Sequence, residues 1–392
     1  MTDPNTGNTQ DLGTRYVSKE YILEVYPSLV PSKKTPGLWT CGYNFYGNLG
    51  NGTTTSYSSP IQVGSLTNWK QVVPGKYVTS YIKTDGTLWS CGYNLYGQIG
   101  NGNNSNYSSP IQVGSLTNWK QISIGNIDVK VIKTDGTLWT WGYPSFGNLG
   151  TNDDTTPYSS PVQIGSLTDW KQVDSTFNTS AAIKTDGTLW AWGKNDVGQL
   201  GNGTVTHYSS PIQVGTLTDW KQVSLAAGNF VSAIKTDGTL WGWGDNYYGH
   251  LGNGSSGNLF SSPIQIGSLT NWKQVSVGQH GGGAVKTDGT LWMWGNGYYG
   301  ENAQGDTTNY SSPIQVGTLT NWKQVSCGYL HISALKTDGT LWAWGRNQHG
   351  QLGTGDTTNY YSPIQIGTLT TWKSTYSSKH YFLSAAIKDG YL

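Results

Sequence analysis

The chain has 392 residues, with 54 Gly, 25 Tyr and 19 Trp, and only 11% are charged, against roughly a quarter in an average soluble protein. Lys plus Arg is 23 and Asp plus Glu is 22, so no basic excess marks a nucleic-acid binder or a polybasic membrane contact. Three Cys exclude a disulfide framework, and no run approaches the ~18 apolar residues of a membrane-spanning helix.

Residues 1–12 are polar and lack the basic and apolar regions of a secretory signal. They are expected to form a disordered tail. Residues 13–33 differ in composition from all that follows. Tyr16, Tyr21, Ile22, Val25 and Tyr26 give a short apolar face ended before Pro27. So short a helix is marginal alone, so this leader should dock, either on the rest of the chain or as a tether to a larger assembly.

From residue 34 to residue 392 the chain is a repeat, the feature to seek first because it decides the fold. Leu-Trp-x-(Trp/Cys)-Gly recurs with its first Trp at 39, 89, 139, 190, 241, 292 and 342, at spacings of 50 or 51 residues. A Gly/Asn/Thr/Ser/Tyr-rich loop follows, then Ser-Pro-(Ile/Val)-Gln-(Val/Ile)-Gly, then Leu-Thr-x-Trp-Lys. The (Ile/Val/Leu)-Lys-Thr-Asp-Gly-Thr hairpin leads into the next Leu-Trp. The segments Pro-Ile-Gln-Val and Trp-Lys-Gln-Val alternate apolar and polar residues, the period of a half-buried strand. Asp-Gly between two apolar alternations is a hairpin signal, since Gly accepts the positive φ of the turn. Four strands per unit, seven times, predict an all-β, seven-bladed β-propeller.

The ends complete the count. Leu38-Trp39 lacks the usual Thr-Asp-Gly in front of it, and the last residues, Ala386 to Leu392, match that missing half. Residues 38–42 should therefore join the C-terminal strands in one blade. That closure between N- and C-terminal strands removes open sheet edges.

The order Trp-x-Trp-Gly-x-Asn-x-x-Gly-Gln-Leu-Gly, clearest from Trp192 to Gly201 and, as Trp-x-Trp-Gly-x-Asn-x-x-Gly-Gln-Leu-Gly, from Trp342 to Gly353, resembles the regulator-of-chromosome-condensation repeat. The resemblance covers about residues 34–392 and implies the propeller fold. The His of the family pattern survives only at His331; Val78, Asp128, Thr179 and Phe230 take comparable places. In the family, nucleotide exchange rests on a loop projecting from the propeller. The repeat length here varies by one residue, so no inserted loop and no exchange activity are expected. Plant UV-B photoreceptors are similar propellers with Trp and Arg clusters, but this chain has only Arg15 and Arg346. The leader resembles that of some structural proteins of marine tailed phages, several of which are similar to this repeat type.

All 19 Trp fall at repeat positions and should fill wedges between blades. Fourteen of the 21 Lys sit in Trp-Lys or Ile-Lys positions and read as solvated edge residues. Cys41 and Cys91 replace the second Trp of two repeats; with Cys327 they read as small buried residues. His207, His250, His280, His331, His349 and His380 form no recurring pair, and Asp153-Asp154 lacks calcium-loop spacing. No nucleophile with its base is legible, so no catalytic, cofactor or metal residues are assigned.

Two segments vary between copies: the one after Trp-Lys-Gln-Val and the one after Trp-Gly. The latter is rich in Tyr, Asn, Ser and Gly, the chemistry of adaptable recognition surfaces. Asn246, Tyr247, Tyr248, Tyr298 and Tyr299 are the candidate contacts. The function expected is a non-enzymatic structural or adhesion protein of a phage particle, located in the virion. Its leader would hold other virion proteins, and its rim would meet a host cell-surface glycan or protein. The alternative is a cytosolic protein-interaction propeller with a regulatory partner.

Overall fold

The computed structural model describes residues 37–389. They form 28 strands in seven four-stranded antiparallel sheets, with no helix among the described residues. The innermost strand of each sheet touches that of the next, and the seventh touches the first, so the sheets close a ring. Blades 1 to 6 run Trp69–Gln112, Trp119–Gln163, Trp170–Gln213, Trp220–Gln265, Trp272–Gln315 and Trp322–Gln365. Blade 7 takes its two inner strands, Trp372–Ser377 and Leu383–Lys388, from one end of the chain. Its two outer strands, Gly37–Gly42 and Tyr57–Gln62, come from the other. Leu38 lies opposite Ile387 and Trp39 opposite Ala386, which is the expected closure. The leader and its candidates Tyr16, Tyr21, Ile22, Val25 and Tyr26 lie outside the described residues.

The tryptophans divide into three roles. The second Trp of the motif, at 141, 192, 243, 294 and 344, is fully buried. Each donates its indole N–H across the blade boundary to a carbonyl of the preceding blade, at 2.8–3.0 Å. In blades 7 and 1 the thiols of Cys41 and Cys91 point at the equivalent carbonyls, Gln351 and Asn48. Beside Cys91 the lost volume is refilled from the neighbouring strand: Tyr81 stands where blades 3 to 7 have Ala, and its hydroxyl lies 3.2 Å from the Cys91 sulfur. All three cysteines are buried and free.

The Trp of Trp-Lys is buried and meets the half-buried Trp of Leu-Trp edge to face, at 5.9–6.4 Å in all seven blades. Over these rings lies the Lys of Ile-Lys. Its ammonium sits 3.6–4.3 Å from the nearer ring centre in blades 1 to 6, a cation–π distance. These lysines, Lys83 to Lys388, are buried. The expectation that they are solvated edge residues is therefore corrected, because their stems and charges cap the indole pair. The lysines of Trp-Lys do remain exposed.

Around the axis, six glutamines join neighbouring blades. Gln71, Gln121, Gln172, Gln222, Gln274 and Gln324 each donate to a backbone carbonyl of the next blade and accept from the N–H of that same residue. All twelve bonds measure 2.7–3.2 Å. Blade 7 has Ser374 at this position, so the closing seam toward blade 1 lacks the side chain that makes the clamp.

Candidate functional site

Antiparallel order assigns the loops to faces. Connections from first to second strand, and from third to outer strand, share one end of every blade. The Thr-Asp-Gly turns and the Ser-Leu-Thr connections share the other. The second set is uniform. Each turn Asp accepts from the N–H and the hydroxyl of the Thr two residues on, as Asp85 does from Thr87 at 2.9 and 2.7 Å, and Gly86 has φ 79°. Both variable segments lie in the first set. The molecule thus has one constant face and one variable face, and all sequence-predicted contacts fall on the latter.

Within that set the candidates separate. Tyr247 and Tyr298 are 64% and 67% exposed, and Tyr248 is also exposed. Tyr299 is half-buried, with the Arg346 guanidinium 5.0 Å from its ring. The rings of Tyr247 and Tyr248, and of Tyr298 and Tyr299, meet edge to face at 4.7 and 4.8 Å. Asn246 is different: it is fully buried. Its amide donates to Asn253 and Ser255 while its oxygen accepts from the Leu251 N–H. Asn44, Asn94, Asn195 and Asn347 organise their own loops in the same way. Asn246 is withdrawn as a contact, because its polar atoms are used in shaping the loop.

Sequence reasoning missed the longest aromatic run of this face. Rings follow one another from Tyr143 through Tyr96, Tyr93 and Tyr46 to Phe45 and Tyr43, at 4.9–6.4 Å, and on to Tyr381 and Phe382 at 4.8 and 5.0 Å. The signal was the Tyr-x-x-Tyr spacing at 43/46 and 93/96, repeated in consecutive copies, while the continuation to Tyr381 and Phe382 comes only through closure.

The axis is occupied on this side. Three or four residues join first to second strand in blades 1 to 6, but five, Ser378–Phe382, do so in blade 7. The expectation of no inserted loop fails there, because the partial last repeat hid its length. Lys379 crosses to Asp174 in blade 3, at 2.5 Å, and His380 bonds the Ile124 carbonyl at 3.2 Å. Residues of these innermost strands line an open axial pocket of about 210 Å³. His331 is buried, 3.0 Å from the Ser384 hydroxyl, and Val78, Asp128, Thr179, Phe230 and Gly281 do occupy the same register in other blades.

Glu301 replaces a glutamine at the blade 5–6 boundary. Like Gln98, Gln199 and Gln351, it accepts a backbone N–H, that of Tyr299, at 2.8 Å. It is 8% exposed and its second oxygen has no partner in the protein. Burial pushes its carboxyl up to about 7. The unfolded chain therefore loses this proton first as pH rises. The associated stability is complete below the unfolded value of ~4.3 and is lost as pH rises to about 7, on the order of 3 kcal/mol. Glu301→Gln should match the wild type near pH 4 and exceed it in urea unfolding at pH 8. Equal midpoints at pH 8 would refute a buried charge. His250 and His331, held down to about 4 by burial, and His380, to about 3, act with the opposite sign below pH 6.5. The comparison of variant with wild type at each pH cancels them.

The fold and its two-faced loops define a repeat propeller that carries its diversity on one side. The profile of the RCC1-like domain matches residues 131–383, and that of the regulator of chromosome condensation (RCC1) repeat matches residues 37–82 and 85–126. The chain belongs to this family. It is 31% identical over 123 residues to human E3 ubiquitin-protein ligase HERC2, covering 30% of this chain and 2% of that protein. It is 32% identical over 125 residues to the zebrafish Protein RCC2 homolog, covering 31% and 25%. The chain thus spans a quarter or less of either relative. Among solved structures, human WBSCR16 superposes with a TM-score of 0.80 at 20% identity, over 91% of this chain and 100% of that one. Yeast Prp20p, described with its binding to Gsp1p and histones, gives 0.79 at 17% identity, over 91% and 92%. These likenesses carry the fold. All four proteins are eukaryotic, so they lend nothing to the resemblance with phage proteins.

Proposed function

We propose that the chain is a non-enzymatic protein-interaction propeller that binds a regulatory protein partner through its variable face, in the cytoplasm. One observation carries this reading: both segments that differ between copies emerge on the same face, while the opposite face is nearly uniform. Variation on a rigid frame is how recognition is built, and exposed aromatics are the residues that anchor protein interfaces. The family adds support, since its member Prp20p binds Gsp1p and histones. The virion reading has a weaker footing. The relatives and solved structures named above are all eukaryotic proteins.

The test is affinity capture with the full chain. A partner recovered in stoichiometric amount should be lost when Phe45, Tyr96, Tyr247 and Tyr298 become Ala. Retention by that variant, with loss on changing the exposed Lys70, Lys120 and Lys221 to Glu, would place the interface elsewhere.

A further inference from the structure

We infer that the blade 6–7–1–2 sector of the variable face docks an acidic, aromatic-bearing segment of a protein partner. This rests on the reading of that face as an interaction surface. Three observations converge on the sector. The first is its unbroken aromatic run, with Phe45 65% exposed and Leu95 and Tyr96 beside it also exposed. A contiguous apolar patch of this kind marks a contact site rather than scattered exposure.

The second is its charge. Lys76 lies 4.7 Å from the Tyr77 ring centre and 5.8 Å from that of Tyr381, and Arg346 lies 4.6 Å from that of Phe382. Two cations thus bracket the Tyr381–Phe382 pair. Among the described residues neither forms an ion pair.

The third is what the sector lacks. The segments after Trp-Gly carry Asp or Glu in blades 2 to 6: Asp153, Asp154, Asp196, Asp245, Glu301, Asp306 and Asp356. Residues 43–56 of blade 7 and 93–106 of blade 1 carry none, nor do 75–77 and 378–382. The blade 7–1 centre of the sector is therefore positive and aromatic, without its own carboxylates, and the acidic residues of blades 6 and 2, Asp356, Asp153 and Asp154, stand at its flanks. A neutral sugar would cover the rings and leave Lys76 unpaired and Arg346 with only the Gln348 amide oxygen, both desolvated at a cost. Carboxylates flanking Phe, Leu or Trp satisfy cations and rings together, and such complementarity selects partners.

The experiment selects a displayed library of random peptides on the full chain and measures the winners by fluorescence anisotropy. Enriched peptides should carry Asp or Glu on both sides of an aromatic or Leu. Their affinity should fall about tenfold with Phe45→Ala, and likewise with Lys76→Glu plus Arg346→Glu, the loss shrinking at high salt. Tyr247→Ala and Tyr298→Ala should leave it unchanged. Thermal melts establish that each variant is folded, and Lys76→Gln serves as the milder change. Peptides that respond to Tyr247 and Tyr298 instead would overturn the sector while keeping the interaction face. Peptides indifferent to every variable-face change would overturn both. A glycan array that binds the sector while no acidic peptide does would overturn the partner class.

Discussion

Trp192→Ala should cost about 4 kcal/mol of folding stability, the range for removing a fully buried aromatic. The indole is wholly buried between blades 2 and 3, against Ile132, Leu138 and Trp170. Its N–H donates to the Asn148 carbonyl at 2.9 Å, so truncation also removes a buried hydrogen bond, worth about 1 kcal/mol more, and leaves that carbonyl only the Ser180 hydroxyl at 3.3 Å. The cavity is not easily refilled, because the backbone at Gly150 already lies against the ring: a Cβ there would come within 2.8 Å of the indole nitrogen. Trp190, half-buried at the rim, gives the contrast, and its truncation should cost clearly less. Urea unfolding of both variants checks the ranking. A loss below about 1.5 kcal/mol at Trp192 would show that blade contacts rest elsewhere.

The second large effect concerns a pair found only in blade 2. Asp128 and Lys130 are fully buried and joined to each other, and the Asn148 amide donates to Asp128 at 2.7 Å. Burial pushes the Asp128 carboxyl up and the Lys130 ammonium down, each toward its neutral form. Removing one partner strands the other, so Asp128→Ala should destabilise by about 3–5 kcal/mol. Replacing both is different. Blade 1 carries Val78 and Ser80 at the same register positions. Asp128→Val with Lys130→Ser should therefore lie within about 1 kcal/mol of the wild type, or above it, since buried pairs seldom outweigh their desolvation. Equal losses in the single and double variants would show that the pair holds the blade by shape rather than by mutual charge. Equilibrium unfolding of the three proteins measures this.

The architecture was legible because it is written seven times. Trp spacing, Asp-Gly turns and strand alternation are local signals, and the half-motifs at the two ends imply closure without any tertiary information. What stayed hidden is contact between copies. The Gln of Trp-Lys-Gln is a visible repeated letter, yet nothing local says that it clamps a strand some 51 residues away. Lys83 and its equivalents read as surface residues because charge usually is; a pair of indole faces overrides that. Asn246 reads as a contact because Asn favours open turns, whereas here its amide completes a loop. The aromatic sector was least accessible of all, since Tyr43 and Tyr381 are sequence-distant and meet at 4.8 Å only through closure. The face follows from topology; the sector within it exists only in the closed ring.

Closure also sets an order of events during synthesis. The strand Gly37–Gly42 leaves the ribosome long before its inner neighbour, Leu383–Lys388. Blades 1 to 6 each consist of contiguous chain and can form as they emerge. Blade 7 cannot, so until Leu383–Lys388 is made the early strand keeps one open edge, the kind of edge that recruits other chains or chaperones. Joining the two ends is the contact of greatest sequence separation and the slowest type to form. The same step brings Tyr43 to Tyr381 and completes the positive aromatic surface. A nascent or truncated chain would therefore display six blades without that surface, and a partner that reads it would engage only finished molecules.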